Sequence, residues 1–481
     1  MHNEQLVRHL VRPDRQEDLC FVLFNTSTGS KRSTAIIREV IFPQDGDRII
    51  HGNVSFTAAY FDRVIKIALE KGCGIGFIHS HPANGWQGMS KDDIDAETML
   101  APRVKAVTGL PLVGMTLSLD NVWSARWWIK GAPKKYVRKD CMQVRVIGKA
   151  LKLSYYDRLY PPLQFGEEFN RTISAWGEAQ QAHLSRVWIG IVGLGSVGSI
   201  VAEALVKIGV RNIVLIDFDI VRKKNLDRLN GIGKKSVGRV KVAAIRDYLM
   251  TVTANEQVNI EVCPYSIAEK EGLLAALNCD LLFSCVDRPW PRFILNEIAF
   301  ANIIPVVDGG IDTNQNKRGT NLDQARWKTH IAGPGRACLQ CIGQYLPEDV
   351  ALEQSGLLED PHYVKGLPPD HFIHRGENVY AFSLSVGAME MQQFLSLVLQ
   401  PRGQYCGPKE YDFNSGTIDS RFDFNCKRNC EYPAKLGQGD KINSTLATGH
   451  PVAERVRQEA VNEKQSFLKK IVSLFGNILQ L

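Results

Sequence analysis

The chain has 481 residues, 44% hydrophobic and 23% charged, an ordinary globular composition long enough for two to four domains. Its formal net charge of +7 is mild for that length, so the charge balance does not demand a nucleic-acid partner. Met1–Asp18 carries no apolar signal-peptide core, no run of apolar residues is long enough to span a bilayer, and eleven scattered cysteines suit a reducing compartment. The expectation is a cytoplasmic protein with neither membrane nor nucleic acid as partner.

Leu19–Phe24 and Thr34–Phe42 read as two β-rich runs around a Ser/Thr/Gly loop, a hairpin signal. From Phe56 to Lys71, the apolar residues Phe56, Tyr60, Val64, Ile67 and Ala68 recur at helical spacing. Gly72–Ile78 is a short buried strand that runs into a Gly/Pro loop and a second helix from about Ser90. Leu112–Leu119 and Asn121–Ile129 follow as closing strands. The basic residues Lys130, Lys134, Lys135, Arg138 and Lys139 read as a solvated linker at a domain boundary. Val187–Val192, Ser196–Ile208 and Asn212–Phe218 then make a βαβ unit. Leu281–Cys285 and Ile304–Val307 are all-apolar strands of the kind covered on both faces, and Val379–Leu399 reads as a helix. Ser466–Leu481 places Phe467, Ile471, Leu474, Phe475 and Ile478 at helical spacing, which suits a docking or partner helix better than a membrane span. The expected division is residues 1–135, a linker at 136–164, a second domain at 165–440 and a tail at 441–481.

His79-Ser80-His81-Pro82 follows the apolar run Gly74–Ile78, and Ser90-Lys91-Asp92-Asp93 opens the next helix. Residues two apart on an extended segment share a side. Two histidines and a nearby carboxylate offer three zinc ligands and leave a fourth position for water, whose pKa zinc lowers toward neutrality. Ser90 and Asp93 stand in a capping relation that fixes Asp93 in the first helical turn. The plainer alternative makes His79-Ser80-His81-Pro82 a polar turn and Ser90 with Asp93 only a helix cap; it accounts for the cap alone better than for the whole set.

This set resembles the JAMM/MPN-type metalloproteases, which cut isopeptide or peptide bonds after ubiquitin-like C-termini and carry Glu, then H-x-H-P, then S-x-x-D. The resemblance covers about residues 10–130. It implies His79, His81 and Asp93 as ligands of a catalytic zinc, Ser90 as an oxyanion donor and an upstream Glu as general base. The loop after His81 is one residue longer than the family spacing. Counting from the histidines selects Asp92; the Ser-x-x-Asp relation selects Asp93, which is preferred. Glu17, just before the first strand, is preferred as base over Glu39 on the second.

Gly193-Leu194-Gly195-Ser196-Val197-Gly198 sits between a strand and a helix, where glycines allow a tight turn and the helix N-terminus attracts phosphate. Asp217 ends the next strand, at the distance expected of a ribose ligand. By itself this fits an NAD dehydrogenase as well as an ATP site. Asp219, Asn225, Arg228, Lys241 and Asp287 separate the two, because adenylation needs cations for the triphosphate and a carboxylate for magnesium.

Residues 165–435 are similar to the MoeB/ThiF/ubiquitin-activating superfamily. The resemblance implies Gly193, Gly195 and Gly198 as the nucleotide loop, Asp217 at the ribose, Asp219 as a further nucleotide-binding residue, and Asn225, Arg228 and Lys241 on the phosphates of ATP. Asp287 would take Mg. Arg171 would reach into a partner protomer's ATP site, which implies a homodimer. Cys338-x-x-Cys341 and Cys426-x-x-x-Cys430 could hold a structural zinc, as knuckles do in that family, although the second pair has three intervening residues instead of two. Buried thiols or a redox pair are the alternatives. Ile342–Val379 has no cysteine, and Cys406 comes after the Val379–Leu399 helix, so no thioester cysteine can be assigned.

Both halves are therefore read as α/β: a mixed-sheet MPN/JAMM-like domain, then a Rossmann-like ThiF/MoeB-type domain with a zinc knuckle. The implied protein is bifunctional. It cuts after the C-terminal glycine of a ubiquitin-like or sulfur-carrier protein, and it adenylates that glycine, with a conjugating-enzyme-like protein as a further partner. Ubiquitin-like conjugation, including a defensive system, and sulfur-carrier metabolism both stay open. An inactive scaffold that binds a ubiquitin-like fold and an NAD oxidoreductase are the rival readings.

Overall fold

The computed structural model describes residues 2–51, 53–133, 135–315, 321–368, 371–374, 378–402, 407–420 and 425–462. The chain divides into two units: Met1–Ser27 with Ser33–Pro162 and Gly437–Lys441, and Thr28–Arg32 with Leu163–Leu436 and Ile442–Leu481.

The first unit runs α1 (His2–Leu10), β1 (Leu19–Thr28), β2 (Ser33–Ile41), β3 (Arg48–His51), β4 (Asn53–Phe56), α2 (Ala58–Lys71), β5 (Gly74–Ser80), α3 (Lys91–Thr108), β6 (Leu112–Leu117), β7 (Trp123–Ala132), β8 (Lys135–Asp140), β9 (Gln143–Ile147) and β10 (Leu151–Tyr155). Six strands make a mixed sheet in the order β2-β1-β5-β6-β7-β8, and β3–β4 and β9–β10 pair separately. Alternation along β1 builds two cores. Leu19, Phe21 and Leu23 pack with Tyr60, Phe61 and Val64 of α2 and Leu100 and Val104 of α3. Cys20, Val22 and Phe24 face the other way, toward Leu6 and Leu10 of α1. With both faces covered, β5 is buried along its whole length, which is why Gly74–Ile78 reads as an unbroken apolar run. Helix α2 starts at Thr57, whose side chain accepts from the Tyr60 N–H, and stops at Gly72 in the left-handed region.

The basic stretch read as a linker is a correction. It carries β8, which completes the sheet against β7, and the β9–β10 hairpin, whose Val144 and Val146 pack against the α1 side of the core. The reason is physical. An edge strand exposes its charges much as a linker does, and lysines on such an edge discourage unwanted pairing.

The second unit runs α4 (Asn170–Trp176), α5 (Glu178–Ser185), β11 (Trp188–Val192), α6 (Ser196–Lys207), β12 (Asn212–Ile216), α7 (Lys241–Val252), β13 (Asn259–Cys263), α8 (Lys270–Ala276), β14 (Leu281–Ser284), α9 (Pro289–Ala301), β15 (Val306–Gln315), β16 (Leu322–Ala332), α10 (Pro347–Gln354), α11 (Pro361–Lys365), α12 (Tyr380–Leu399), β17 (Lys409–Asp412) and β18 (Thr417–Ser420). Eight strands lie in the order β13-β12-β11-β14-β15-β16-β17-β18. From β13 to β15 every pairing is parallel, the doubly wound arrangement expected; from β15 to β18 every pairing is antiparallel. That antiparallel extension is an addition to the parallel sheet read from the sequence. Residues 451–462 are helical, whereas the amphipathic segment Ser466–Leu481 and Cys406 lie outside the described residues. Among the described residues no helix is long and apolar enough to cross a membrane.

Candidate functional site

In the first unit, antiparallel pairing sets Leu19 of β1 opposite His79 of β5. Stepping back two residues from Leu19 and forward two from His79 brings Glu17 to His81, with Glu17 Oε1 3.9 Å from His81 Nε2. Glu39 does not join them; it is tied to Lys71 at 2.5 Å. Ser90 caps α3 by accepting from the Asp93 N–H, while Asp93 accepts from the Ser90 N–H, so the two form a capping box. The box turns Asp93 toward the histidines, and Asp92 is exposed beside it. Asp93 lies 3.2 Å from both His79 Nε2 and His81 Nε2, which are 3.1 Å apart. A tetrahedral zinc with ligand bonds of about 2.0–2.1 Å needs ligand atoms roughly 3.3 Å apart, so these three residues fit one. Ser90 Oγ acts as acceptor in the cap, which leaves its hydroxyl hydrogen to donate.

Electrostatics sort the roles. Burial raises the Glu17 carboxyl pKa, partly offset by His81, as suits a group that must take up a proton. Burial lowers His79 and so favours its neutral form, whereas at His81 burial is outweighed by the hydrogen bond and charge of Asp93, which raise it. At Asp93 burial is outweighed by hydrogen bonds from the two histidines, which hold the carboxylate ionised far below its ordinary range.

In the second unit, β11 turns into α6 through the glycine loop. Gly193 is left-handed, with φ of +87°, and a Cβ on Gly198 would stand 2.0 Å from the Gly193 carbonyl oxygen. A Cβ on Gly195 would meet nothing within 4 Å. Two of the glycines thus serve the turn itself, and the third keeps open space above the helix N-terminus, where an anion is favoured. Asp217 ties this loop down by accepting from the Leu194 N–H at 2.6 Å and the Asp219 N–H at 2.7 Å. Lys241, the first residue of α7, donates to Asp219 at 2.8 Å and stands 3.8 Å from Asp217. Burial works against its charge, but Asp217 and Asp219, with help from Asp287, outweigh that and keep it protonated.

The other expected residues are spread more widely. Asp287 follows β14 and is exposed. Asn225 accepts from the Arg222 N–H at 2.8 Å, and Arg228 donates to the Lys224 carbonyl at 2.8 Å and to Asp227 at 3.0 Å. Arg171 is exposed on α4.

One group was not foreseen. Arg292 of α9 donates to buried Asp308 at 3.1 Å and to the Gly309 carbonyl at 2.9 Å, and Gln344 donates to the same carboxylate at 2.7 Å. A lone cation in the apolar segment Pro289–Ala301 was the available signal.

Cys338, Cys341, Cys426 and Cys430 bring their sulfurs within 4.8 Å of one another. Cys338 Sγ and Cys430 Sγ are 3.6 Å apart, close to the roughly 3.8 Å edge of a tetrahedral zinc–thiolate site. The N–H groups of Cys338, Cys341 and Lys427 point at sulfurs at 3.2–3.3 Å. The hydrogen bond from Cys338 pulls the Cys426 thiol down to about 6 and holds the Cys338 thiol up, so without a metal the pair shares a proton. The extra residue in Cys426–Cys430 is absorbed in a turn, and the donor set fits zinc.

A model of the ThiF family matches residues 169–421, more than half of the chain. This chain belongs to the ThiF family. The match takes in the glycine loop, Lys241, Asp287 and the first cysteine pair; the His79–His81–Asp93 cluster lies outside it. Among relatives, the chain is 36% identical over 121 residues to the molybdopterin-synthase adenylyltransferase of Escherichia coli, covering 25% of this chain and 47% of that protein. It is 34% identical over 119 residues to the adenylyltransferase and sulfurtransferase UBA4 of Meyerozyma guilliermondii, covering 25% and 28%. To the ubiquitin-like modifier-activating enzyme 5 of Caenorhabditis briggsae it is 35% identical over 119 residues, covering 22% and 27%. The chain therefore spans less than half the length of these ThiF-family relatives. The structure of E. coli MccB with ATP is similar over 56% of this chain and 74% of that one, at 17% identity and a TM-score of 0.42, too loose a likeness to bear on the chemistry.

Proposed function

We propose that the second unit adenylates the C-terminal carboxylate of a ubiquitin-like or sulfur-carrier protein, and that the first unit hydrolyses the bond that follows such a C-terminus. The observation that carries the first half is Lys241, a nearly buried cation between Asp219 and Asp217, the second being the carboxylate that accepts the Leu194 N–H of the glycine loop. Such a cation suits a triphosphate, whereas hydride transfer would have no use for it. The names of the relatives, two adenylyltransferases and a modifier-activating enzyme, support the same reading.

In this mechanism Gly195 leaves room for the phosphates at the start of α6. Asp217 faces the ribose with Asp219 beside it, Lys241 and Arg228 neutralise phosphate charge, Asn225 donates a hydrogen bond to a phosphate oxygen, and Asp287 would hold magnesium. The carrier's carboxylate attacks the α-phosphorus, its oxygen forming the new P–O bond while the bond to pyrophosphate breaks. Arg171 of a second protomer completes the charge balance, so the enzyme works as a homodimer. Without an assignable thioester cysteine, the acyl group passes directly from the adenylate to a thiol, amine or sulfide acceptor, whose lone pair forms the new bond to the carbonyl carbon as AMP leaves. That favours the sulfur-carrier version of the reading over conjugation.

In the hydrolase, His79, His81 and Asp93 would hold zinc, which when bound supplies an activated water and polarises the scissile carbonyl. Glu17, 3.9 Å from His81, would accept a proton as water adds its oxygen to the scissile carbonyl carbon, and would hand that proton to the amine as the C–N bond breaks. The four cysteines would hold a second, structural zinc.

ATP–pyrophosphate exchange tests the proposal, with the purified chain, a small carrier ending in Gly-Gly, and Asp287→Ala beside the wild type. Exchange that needs the carrier and disappears in the variant is the expected result. No exchange with any carrier, including one extended past Gly-Gly, would remove adenylation from the reading.

A further inference from the structure

Behind the three candidate zinc ligands lies a buried ion pair that the mechanism above does not use. Glu97 is 0% exposed and Arg126 is 2% exposed. Arg126 grips the Glu97 carboxylate through Nη2 and through Nε at 2.9 Å, and Trp128 Nε1 donates to it at 2.5 Å. The neighbouring strand makes room for them: a Cβ on Gly114 would stand 2.2 Å from Glu97 Oε2. For stability alone, an apolar pair of similar volume would serve as well or better. The position of the pair therefore calls for a reason.

Glu97 lies one turn beyond Asp93 on the same face of α3. At the other end, Arg126 Nη1 donates to Thr116 Oγ1 at 2.8 Å. Thr116 of β6 is the register partner of His79 on β5. A directed chain of contacts thus runs from the helix that carries the carboxylate ligand, through Glu97, Arg126 and Thr116, to the strand that carries the first imidazole. Apolar packing would let α3 slide by fractions of an ångström; bidentate hydrogen bonds fix both distance and angle.

We propose that Glu97 and Arg126 are positioning residues that hold α3 at the separation from β5 at which His79, His81 and Asp93 converge on one zinc ion. This inference rests on the zinc reading above and concerns the affinity of that site. Groups that orient metal ligands from behind account for about 10–100-fold in metal affinity.

The test is chelator-competition titration of zinc on the full chain, with thermal unfolding measured in parallel. Wild type is expected to hold zinc at the four cysteines and at the histidine site, the second being lost in His79→Ala/His81→Ala. The double variant Glu97→Leu/Arg126→Met is expected to fold and to keep its cysteine zinc, with an unfolding temperature at or somewhat below wild type because Trp128 Nε1 and Thr116 Oγ1 lose their partners. It should bind zinc at the histidine site at least about 10-fold more weakly. Thr116→Val covers the case in which the double variant does not fold; it removes only the strand end of the chain and should weaken the same site by about 10-fold. Unchanged affinity at the histidine site in the folded variants would overturn the inference and leave the zinc reading standing. Wild type that binds zinc only at the cysteines would overturn both.

Discussion

Alanine at Gly195 and alanine at Gly198 should separate nucleotide binding from folding within one loop. At Gly198 the new Cβ would sit 2.0 Å from the Gly193 carbonyl oxygen and 3.2 Å from Cys285 Cβ. Neither neighbour is the loose end of a side chain, so the loop or α6 must move. Overpacking of this kind costs about 1–3 kcal/mol, or several degrees in Tm for a unit this large. At Gly195 the backbone φ is −75° and the added methyl meets nothing within 4 Å. Stability should change by no more than about 0.5 kcal/mol. The methyl would, however, occupy the space in which phosphate oxygens must approach the N–H groups of α6, so carrier-dependent pyrophosphate exchange should fall at least about 100-fold. Differential scanning calorimetry and the exchange assay together read both effects. Gly195→Ala that keeps normal exchange, or Gly198→Ala that melts like wild type, would refute the division of labour assigned to the loop.

Other consequences are as direct. Glu17→Gln should reduce hydrolysis after the carrier C-terminus by about 100- to 10,000-fold with zinc content unchanged, whereas Asp92→Asn and Glu39→Gln should leave it intact; loss of zinc in Glu17→Gln would recast that residue as a ligand. Arg171→Ala and Asp287→Ala, each inactive alone, should regain part of the exchange activity when mixed as heterodimers if the arginine acts across protomers. Failure to complement would confine Arg171 to its own chain. Burial raises the Glu353 carboxyl to about 7, although it accepts the Trp290 N–H at 2.9 Å. The folded state therefore favours the protonated form, and the stability it contributes is fully present below about pH 4.5 and is lost as pH rises through 7. Denaturant titrations from pH 5 to 8 should show Glu353→Gln gaining on wild type toward alkaline pH, and parallel curves would contradict the assignment.

Most of the candidate chemistry was readable because it is local. Gly193–Gly198 must be a turn before a helix, whatever surrounds it. Ser90 and Asp93 form their capping box within one helical turn, and His79 and His81 share a side of a strand because the side-chain period is two. Glu17 was preferred to Glu39 for its place before the first strand, but its meeting with His81 is not local: it follows from the β1–β5 register, which sets Leu19 against His79. The same holds for the edge strand β8, whose lysines look like a linker until β7 pairs with it, and for the antiparallel strands β16 to β18.

What the amino-acid order determined by itself was the set of short-range motifs and the ThiF-type alternation of apolar strands and helices, since propensity, periodicity and capping act over a few residues. What only the tertiary structure decided was which distant groups meet. Cys338 and Cys430 are 92 positions apart, Glu97 and Arg126 are 29 apart, and Arg292 on α9 reaches Asp308 on β15, 16 positions on. Those meetings are set by sheet order and core packing, which depend on the whole chain at once and leave no spacing rule along it.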